Sequence, residues 1–324
     1  MSDSRRKILR YAVALACAAS CMVARADTVF PSKPMTLYVA FAPGGAGDIV
    51  ARLVTRKMSE SMGQPFVIEN RPSPVVAVQT VQRAKPDGYT MMMAGSGTAL
   101  TSALFKKLPY DLMKDFRHVS SLSTFDLALI TVADSSFKSV ADVLAYAKAH
   151  PGKLNIGTVR VGSTQNLSAE MFKSMTGLDA SVVPYKTTAE VISGLRSKDI
   201  HVAMEMVPPL LGQIVGGSIR PLAVSSLQRY PGLPNVPTLN ESGVKDYESG
   251  SWNGVSVPAG TPNEVVNRLA SEIGKAVNSP EVQQELLKMG MRPDKSSPEL
   301  MTRRMQADID KWHGVIKKAN IPLQ

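Results

Sequence analysis

The sequence predicts an α/β fold in which mainly parallel sheets carry helices on both faces. Apolar runs of strand length alternate with longer helical patterns along most of the 324 residues, and this alternation is typical of parallel sheets. The chain is longer than one average domain and indicates two domains of ordinary size. Hydrophobic residues make up 44% of the chain and charged residues 20%, so a buried core is expected and disorder is not.

The first 26 residues have the composition of an export signal. A basic segment over 5–10 precedes an uncharged stretch over 11–23, which is shorter than the about 20 residues that a membrane-spanning helix needs. Ala24-Arg25-Ala26 places small residues at the two positions that a signal peptidase reads. The segment therefore predicts a periplasmic protein with cleavage after Ala26, and its paired arginines leave both the general and the twin-arginine export routes open.

Cysteine content and charge exclude several classes of protein. Both cysteines, Cys17 and Cys21, lie in the signal segment, so the exported chain would have no disulfide, thiolate nucleophile or cysteine metal site. Cleavage before Cys21, as in a lipoprotein, is the minor alternative. The net charge of +10 favours anionic ligands through long-range steering, although it is equally typical of basic exported proteins. Basic residues do not cluster with aromatic ones, so nucleic acid is not an expected partner.

The first part of the exported chain has a β-α-β-α-β order. The predicted strands are 35–41, 66–69 and 89–94, and the predicted helices are 48–62 and 75–84. In the first helix Ile49, Leu53, Val54 and Met58 are expected to share one face, and Gly63 is expected to end it. This order predicts a parallel sheet with helices on both faces.

The middle of the chain repeats this alternation, and the C-terminal part is helical. The predicted strands are 127–132, 154–157, 182–185, 200–206 and 220–225, and the predicted helices are 164–175, 188–196, 208–215 and one capped by Ser139. Three later helices are expected where proline follows Thr261, Ser279 or Ser297. Glu264 extends the first of these starts to a capping box.

The segment 41–48 joins the first strand to the first helix and is rich in glycine. Glycines let backbone N–H groups approach a ligand, and a helix N-terminus adds unpaired donors and positive partial charge. Together they predict a site for a carboxylate or phosphate, although a tight turn without a ligand fits this motif as well. Asp48 is expected to cap the helix rather than to touch the anion. The candidate ligand-binding residues here are Ala42, Pro43, Gly44, Gly45, Ala46 and Asp48.

A dinucleotide-binding loop is a weaker alternative for the same segment. Gly45 and Gly47 fit that motif, and Glu69 ends the next strand at nearly the right distance. However, Val50 stands at the third glycine position, where a small residue is needed for close helix–strand packing. Export also argues against a nicotinamide cofactor.

A second loop of the same kind, 157–166, follows a strand and opens a helix in the middle of the chain. Two anion-binding loops, one in each half, predict a cleft that holds its ligand from both sides. Arg160 is suited to bidentate pairing with a carboxylate, and a solvated loop arginine is an equal alternative. The candidates in this loop are Arg160, Gly162, Ser163, Thr164 and Asn166.

Four further candidates and several exclusions complete the site prediction. Ser96 and Thr98 follow the third strand, Tyr185 is expected in the wall of the cleft, and Glu205 is added to the ligand-binding set. The four histidines have no metal-ligand spacing, and no Gly-x-Ser-x-Gly motif occurs. No catalytic residue, metal site or cofactor is predicted.

A series of short motifs in a fixed order resembles the substrate-binding receptors of tripartite tricarboxylate transporters, also called the Bug family. The motifs are Phe30-Pro31-Ser32-Lys33-Pro34, Pro43-Gly44-Gly45 with Asp48, Glu69-Asn70-Arg71-Pro72, Pro86-Asp87-Gly88-Tyr89-Thr90, Gly162-Ser163 with Ala169-Glu170, Val183-Pro184-Tyr185, Leu233-Pro234-Asn235-Val236-Pro237-Thr238 and Pro258-Ala259-Gly260-Thr261-Pro262. Each motif is weak, but the ordered set is specific, and it covers the chain from about Pro31 to Asn320.

The resemblance implies a two-lobed periplasmic binding protein of type II, a flytrap, and no enzymatic activity. Lobe one would contain 27–125 with 233–324, and lobe two 126–232, with crossings near 123–126 and 236–252. The expected ligand is a small dicarboxylate, tricarboxylate or aromatic acid, held largely by backbone donors and ordered waters. The expected partner is a membrane permease of the tripartite tricarboxylate type, served by a monomeric receptor. A periplasmic sensor module and, less favoured, an exported enzyme are the alternatives.

Several residues depart from the family pattern near the expected site. Ser73-Pro74-Val75-Val76 replaces a glycine-rich turn, Arg160 stands where glycine is common, and Asn166 where histidine is common. Lys186-Thr187 replaces Arg-Gly, and His201 replaces aspartate. These changes bear on the class of ligand rather than on the fold.

Overall fold

A computed structural model describes residues 30–40, 43–71 and 73–324. The predicted signal segment, with both cysteines, lies outside the described residues, and so does Ala42. The strands are β1 Met35–Val39, β2 Phe66–Asn70, β3 Thr90–Gly95, β4 Phe116–Val132, β5 Leu154–Val159, β6 Ala180–Tyr185, β7 Val202–Met206, β8 Ile219–Val224, β9 Gly250–Pro258 and β10 Arg292–Pro293. The helices are α1 Ala46–Met62, α2 Pro74–Gln82, α3 Ser96–Leu104, α4 Val140–Ala149, α5 Thr164–Thr176, α6 Thr188–Arg196, α7 Leu211–Val215, α8 Asn263–Asn278, α9 Pro280–Lys288 and α10 Pro298–Lys318.

The strands pair in the order β2-β1-β3-β9-β4-β7-β5-β6, and β8 and β10 pair with β4 outside this path. β1 is parallel to β2 and β3, and β5 is parallel to β6 and β7. β9 and β4 run antiparallel to their neighbours and join the two parallel groups. The predicted α/β class is confirmed, with parallel pairing at both ends of the sheet and antiparallel pairing in its middle.

The long strand β4 passes through both groups. From Phe116 to Asp126 it pairs with β9, and from Leu127 onward it pairs with β7 and β8. We call β1, β2, β3, β9, β10 and the first part of β4 the first half-sheet, and the remaining strands the second half-sheet. The predicted limits of the two lobes, at 125/126 and 232/233, remain a prediction.

The pairing directions make the carboxyl ends of the parallel strands face each other. The end of β3 lies level with Ser123 of β4, since both pair with Asn253 of β9, and the end of β7 lies level with Leu127. Four residues of β4 separate these levels, which is about 13 Å at the usual rise of about 3.3 Å per residue. The loops that follow β1, β3, β5 and β7 therefore border one gap.

Helices cover both faces of the first half-sheet. On one face, α2, α3 and α10 share an apolar cluster with Trp252, to which they contribute Val78, Ala99 and Met305 in turn. On the other face lie α1 and α8, which Ser61 Oγ joins by donating to Glu272 Oε2 at 2.6 Å. No helix in the described part of the chain is long and apolar enough to span a bilayer.

Four elements were not predicted from the sequence: the first part of β4, all of β9, the short β10, and α3. β9 is buried on both sides but includes glycine, serine and asparagine, so it has no apolar run. The helix predicted over 208–215 consists of a 3₁₀ turn, Pro208–Leu210, followed by α7. The capping box at Thr261 is wrong, because Thr261 Oγ1 donates to the carbonyl of Pro258 and α8 begins at Asn263.

Candidate ligand-binding site

The loop before α1 is held by a buried carboxylate. Asp48 Oδ2 accepts from the backbone N–H of Gly44 at 2.9 Å, and Oδ1 accepts from Asn70 Nδ2 at 2.9 Å. Arg52 Nε donates to the same carboxylate at 3.0 and 3.1 Å. Burial alone would raise the pKa of Asp48, but these hydrogen bonds and the charge of Arg52 hold it below its ordinary value. Asp48 therefore positions the loop, and its oxygens are not directed to a ligand.

The same loop leaves backbone donors at its surface. Pro43, Gly44 and Ala46 are exposed, and Gly44 adopts a left-handed conformation with φ +78°. The first hydrogen bond of α1 runs from Ile49 N–H to Gly45 O. The N–H groups before Ile49 have no acceptor within the helix, as at any helix start, so this end of α1 is suited to an anion.

The loop before α5 is ordered by its own side chains. Asn166 Oδ1 accepts from Gly162 N–H at 3.1 Å, and Asn166 N–H donates to Ser163 Oγ at 3.1 Å. Ser163 Oγ donates to the carbonyl of Val159, and Asn166 Nδ2 donates to Thr158 Oγ1. Two predicted ligand residues, Ser163 and Asn166, thus shape the loop through their side chains. The N–H groups of Thr164 and Gln165, the first two residues of α5, have no acceptor within the helix.

Arg160 and Tyr185 meet at the start of this loop. Arg160 N–H donates to Tyr185 O at 2.9 Å, and the Arg160 side chain is exposed. The Tyr185 ring packs on α6, because a Cβ added at Gly194 would lie 2.4 Å from its hydroxyl oxygen. The backbone of Tyr185 thus supports the loop and its ring packs on α6, and its expected place in the wall of the cleft stays a prediction. Thr164, the first residue of α5, is buried.

The third candidate loop lies where β3 passes into α3. Ser96 Oγ accepts from Trp252 N–H at 2.8 Å, and Thr98 Oγ1 accepts from Gly95 N–H at 2.9 Å. Both hydroxyls are buried in these contacts, whereas Gly97 is exposed. A Cβ at Gly95 would lie 2.1 Å from Trp252 O, so only glycine lets β3 end this close to β9.

The loops of the two half-sheets are in contact. Gly162, at φ +74°, lies so near α3 that an added Cβ would be 2.7 Å from Leu104 Cδ2. Beside this contact, one apolar cluster joins α3, α5 and α10 through Leu100, Leu104, Leu167, Trp312 and Ile316. The structure therefore brings the candidates at 96–98 and 162–166 to the same side of the gap.

Glu205 is buried where β7 ends and contacts two helix starts. Its Oε1 accepts from Gln165 Nε2 at 3.0 Å, and its Oε2 accepts from Thr188 Oγ1 at 2.6 Å. Both partners are neutral, so burial raises the pKa of Glu205 to about 7 although these two hydrogen bonds oppose the rise. Sequence reasoning missed Gln165 and Thr188, because only the fold places them beside Glu205.

Glu205 is expected to make stability depend on pH. The native state holds its proton more tightly than the unfolded chain, so the contribution of Glu205 to stability is fully present below pH 4.5 and is lost as pH rises to about 7. At about 1.4 kcal/mol per pKa unit, this loss is on the order of 3 kcal/mol. Glu205→Gln should remove this slope when urea unfolding is measured from pH 4 to 8. An equal slope in the variant and the wild type would contradict this assignment.

Chemistry other than binding has little support among the residues that the structure describes. Within 30–40, 43–71 and 73–324, no group of three or more His, Cys, Asp or Glu could hold a metal ion. His118 is buried against Ser256 Oγ at 2.8 Å, and burial lowers its pKa to about 4. His201 accepts from the N–H of Asn155 and contacts the Tyr146 hydroxyl. These two histidines are packed residues, as expected.

Comparison with known proteins places this chain in a family. Residues 50–321 match the family described as "Tripartite tricarboxylate transporter family receptor". The chain belongs to this family. The resemblance predicted from the ordered motifs is thereby confirmed. The family is one of solute receptors, so the prediction of a binding protein rather than an enzyme is also confirmed.

Individual relatives are similar in sequence to this receptor over nearly its whole length. The UPF0065 protein of the tcbD–tcbE intergenic region of Pseudomonas sp. (strain P51) is 33% identical, covering 96% of this chain and 94% of that protein. A structure described as R. palustris Rpa4515 with adipate has 36% identity and a TM-score of 0.76, covering 90% and 99% of the two chains. MatC (Rpa3494) from Rhodopseudomonas palustris with bound malate has 28% identity and a TM-score of 0.72, covering 89% and 100%. These structures confirm the periplasmic binding protein fold.

Proposed function

We propose that this receptor captures a small carboxylate between its two half-sheets and delivers it to a membrane permease of the tripartite tricarboxylate type. One observation carries the proposal: the loops before α1 and α5 border the same gap from opposite half-sheets. In each loop a side chain accepts the N–H of a glycine, Gly44 or Gly162, and the N–H groups of the first two residues of the helix that follows have no acceptor within the helix and remain for an anion. Each such end favours one negative group.

A dicarboxylate matches this arrangement best. Two helix starts on opposite sides of a gap suit a ligand with a carboxylate at each end. Two relatives support the choice, since Rpa4515 is described with adipate and MatC with malate. Tricarboxylates and aromatic acids remain within the proposed class.

The binding sequence follows from the contacts. A carboxylate first docks at 43–46, the exposed end of α1. Closure then brings 162–166 onto the other end of the ligand, and Gly162 packs against Leu104. A ligand drives this closure only by binding the closed form more tightly than the open one.

The place of action and the assembly state are also proposed. The receptor acts in the periplasm as a monomer after cleavage behind Ala26. Membership of a receptor family and the periplasmic relative BugD, 27% identical in a solved structure, support this location. Intact-mass measurement of the exported protein tests the cleavage site, and light scattering during size exclusion tests the monomer.

A thermal-shift screen tests the function. The receptor is purified, unfolded and refolded to remove carried-over ligand, then heated with mono-, di- and tricarboxylates. A ligand that binds only the native state raises the melting temperature as its concentration exceeds Kd. A selective shift with one acid or one acid class is expected. A well-folded receptor that no acid stabilises would contradict the proposal.

Arg160→Ala should weaken binding of a dicarboxylate about two- to tenfold, because an exposed ionic contact contributes only about 1 kcal/mol. Titration calorimetry measures the change. Arg196→Ala is the control, since Arg196 is exposed in the last turn of α6, at the end away from the loops. Equal affinity of Arg160→Ala and wild type would remove Arg160 from the site.

A further inference from the structure

Two buried polar side chains lie opposite each other in the middle of the first half-sheet. Asn253 of β9 is 3% exposed and Ser123 of β4 is fully buried. They are direct cross-strand partners. Asn253 Nδ2 and Ser123 Oγ have no hydrogen-bond partner among the residues that the structure describes. Buried polar groups are nearly always hydrogen-bonded, so two neighbouring buried side chains without hydrogen-bond partners need an explanation.

The alternation of β9 shows which face the pair occupies. Trp252 Nε1 donates to Asp308 Oδ2 at 2.7 Å, and a Cβ at Gly254 would lie 2.5 Å from Met301 Cε. Both neighbours of Asn253 thus face α10. Because successive side chains of a strand point to opposite faces, Asn253 points to the face covered by α1 and α8. Ser123, as its direct partner, shares that face.

The level of the pair along the strands places it at the start of α1. Asn253 also pairs with Gly95, the last residue of β3. β1 runs parallel to β3, so this level is the edge at which the chain leaves β1 for the 43–48 loop. Asn253 therefore lies at the level where the 43–48 loop begins, on the sheet face that α1 and α8 cover.

We propose that Asn253, together with Ser123, binds an oxygen atom of the captured ligand and so determines specificity. Nδ2 is a donor, so its partner is an acceptor such as a carboxylate or hydroxyl oxygen of the acid. An acid without that oxygen would leave the buried donor unpaired, and sites of this kind discriminate strongly against such analogues. The selected class is thus dicarboxylates and hydroxy acids, in preference to plain monocarboxylates. The inference rests on the proposed function.

The test uses the near-isosteric variant Asn253→Leu, with adipate, malate and hexanoate as probes in titration calorimetry. Affinity for adipate or malate should fall about tenfold or more, and the preference over hexanoate should shrink. Unliganded Asn253→Leu should unfold at the same or higher urea concentration, because it loses an unpaired buried amide. A merely structural asparagine would give the reverse: lower stability and little change in preference.

A second pair of variants keeps the test decisive if Asn253→Leu does not fold. Ser123→Ala removes the partner hydroxyl, and Ser121→Ala is its matched control. Ser121 is also buried with an unpartnered hydroxyl, but a register shift between Ser121 and Ser123 pairs it with Gly254, on the face of α10. Ser123→Ala should weaken dicarboxylate binding, whereas Ser121→Ala should not.

The outcomes separate this inference from the proposed function. If the wild-type receptor binds none of the three acids and no acid of the thermal screen, both the proposed function and this inference are overturned. If the wild-type receptor binds and the Asn253 or Ser123 variants bind with the same affinity and the same preference, only the inference is overturned.

Discussion

Gly162→Ala is expected to weaken ligand binding about tenfold or more. The backbone at Gly162 is left-handed, where a side chain costs about 1–2 kcal/mol. The added Cβ would lie 2.7 Å from Leu104 Cδ2, so either the buried Leu104 side chain repacks or the contact between the half-sheets opens. Strain confined to the closed form lowers affinity, and about 1.4 kcal/mol is already tenfold.

Gly177→Ala provides the matched control. Gly177 has a similar φ of +66° at the end of α5, but nothing lies within 4 Å of its added Cβ. Both variants should lose about 1 kcal/mol of stability in urea unfolding. Only Gly162→Ala should bind its ligand more weakly in calorimetry. Near-wild-type affinity of Gly162→Ala, or an equal loss in Gly177→Ala, would show that this contact does not belong to closure.

Asp48→Ala should reduce both stability and affinity. The variant removes the acceptor of the Gly44 N–H, of Asn70 Nδ2 and of Arg52 Nε. Loss of charge-assisted hydrogen bonds at a buried carboxylate costs about 2–3 kcal/mol of stability. Without them the 43–48 loop is no longer preorganised, so affinity should fall about tenfold or more.

The control for this variant is Asp142→Ala. Asp142 has the same position in α4, where it accepts from the N–H groups of Lys138 and Ser139. It should lose less stability than Asp48→Ala, because Asp142 is exposed, and keep its affinity. If Asp48→Ala binds as tightly as Asp142→Ala when both are folded, the loop before α1 is not the docking point.

The fold could be predicted where local pattern and tertiary environment agree. The apolar runs of β1 and β3 stand between clear helices, and α6 has its predicted bounds, 188–196. The first part of β4 and β9 escaped prediction because small polar residues, such as Ser120, Ser121 and Asn253, fill them. The helices on both faces bury these positions, and no hydrophobic periodicity in the sequence indicates that they are buried.

The site could be predicted only in its backbone part. Glycine loops and helix starts are local features, so the segments around Gly44 and Gly162 were recognised from sequence. The roles of side chains depend on distant partners, as Tyr185 on α6 and Glu205 beside Gln165 illustrate. Asn253 was missed for the same reason, since its proposed role in ligand binding depends on where strand pairing places its side chain.

A crystal structure of the refolded receptor with the acid that gives the largest thermal shift tests the central claim most directly. The account predicts one carboxylate within about 3 Å of backbone nitrogens in 43–48, and the opposite end of the acid against 162–166. An acid bound away from both helix starts, or one that contacts a single half-sheet in a closed receptor, would contradict it.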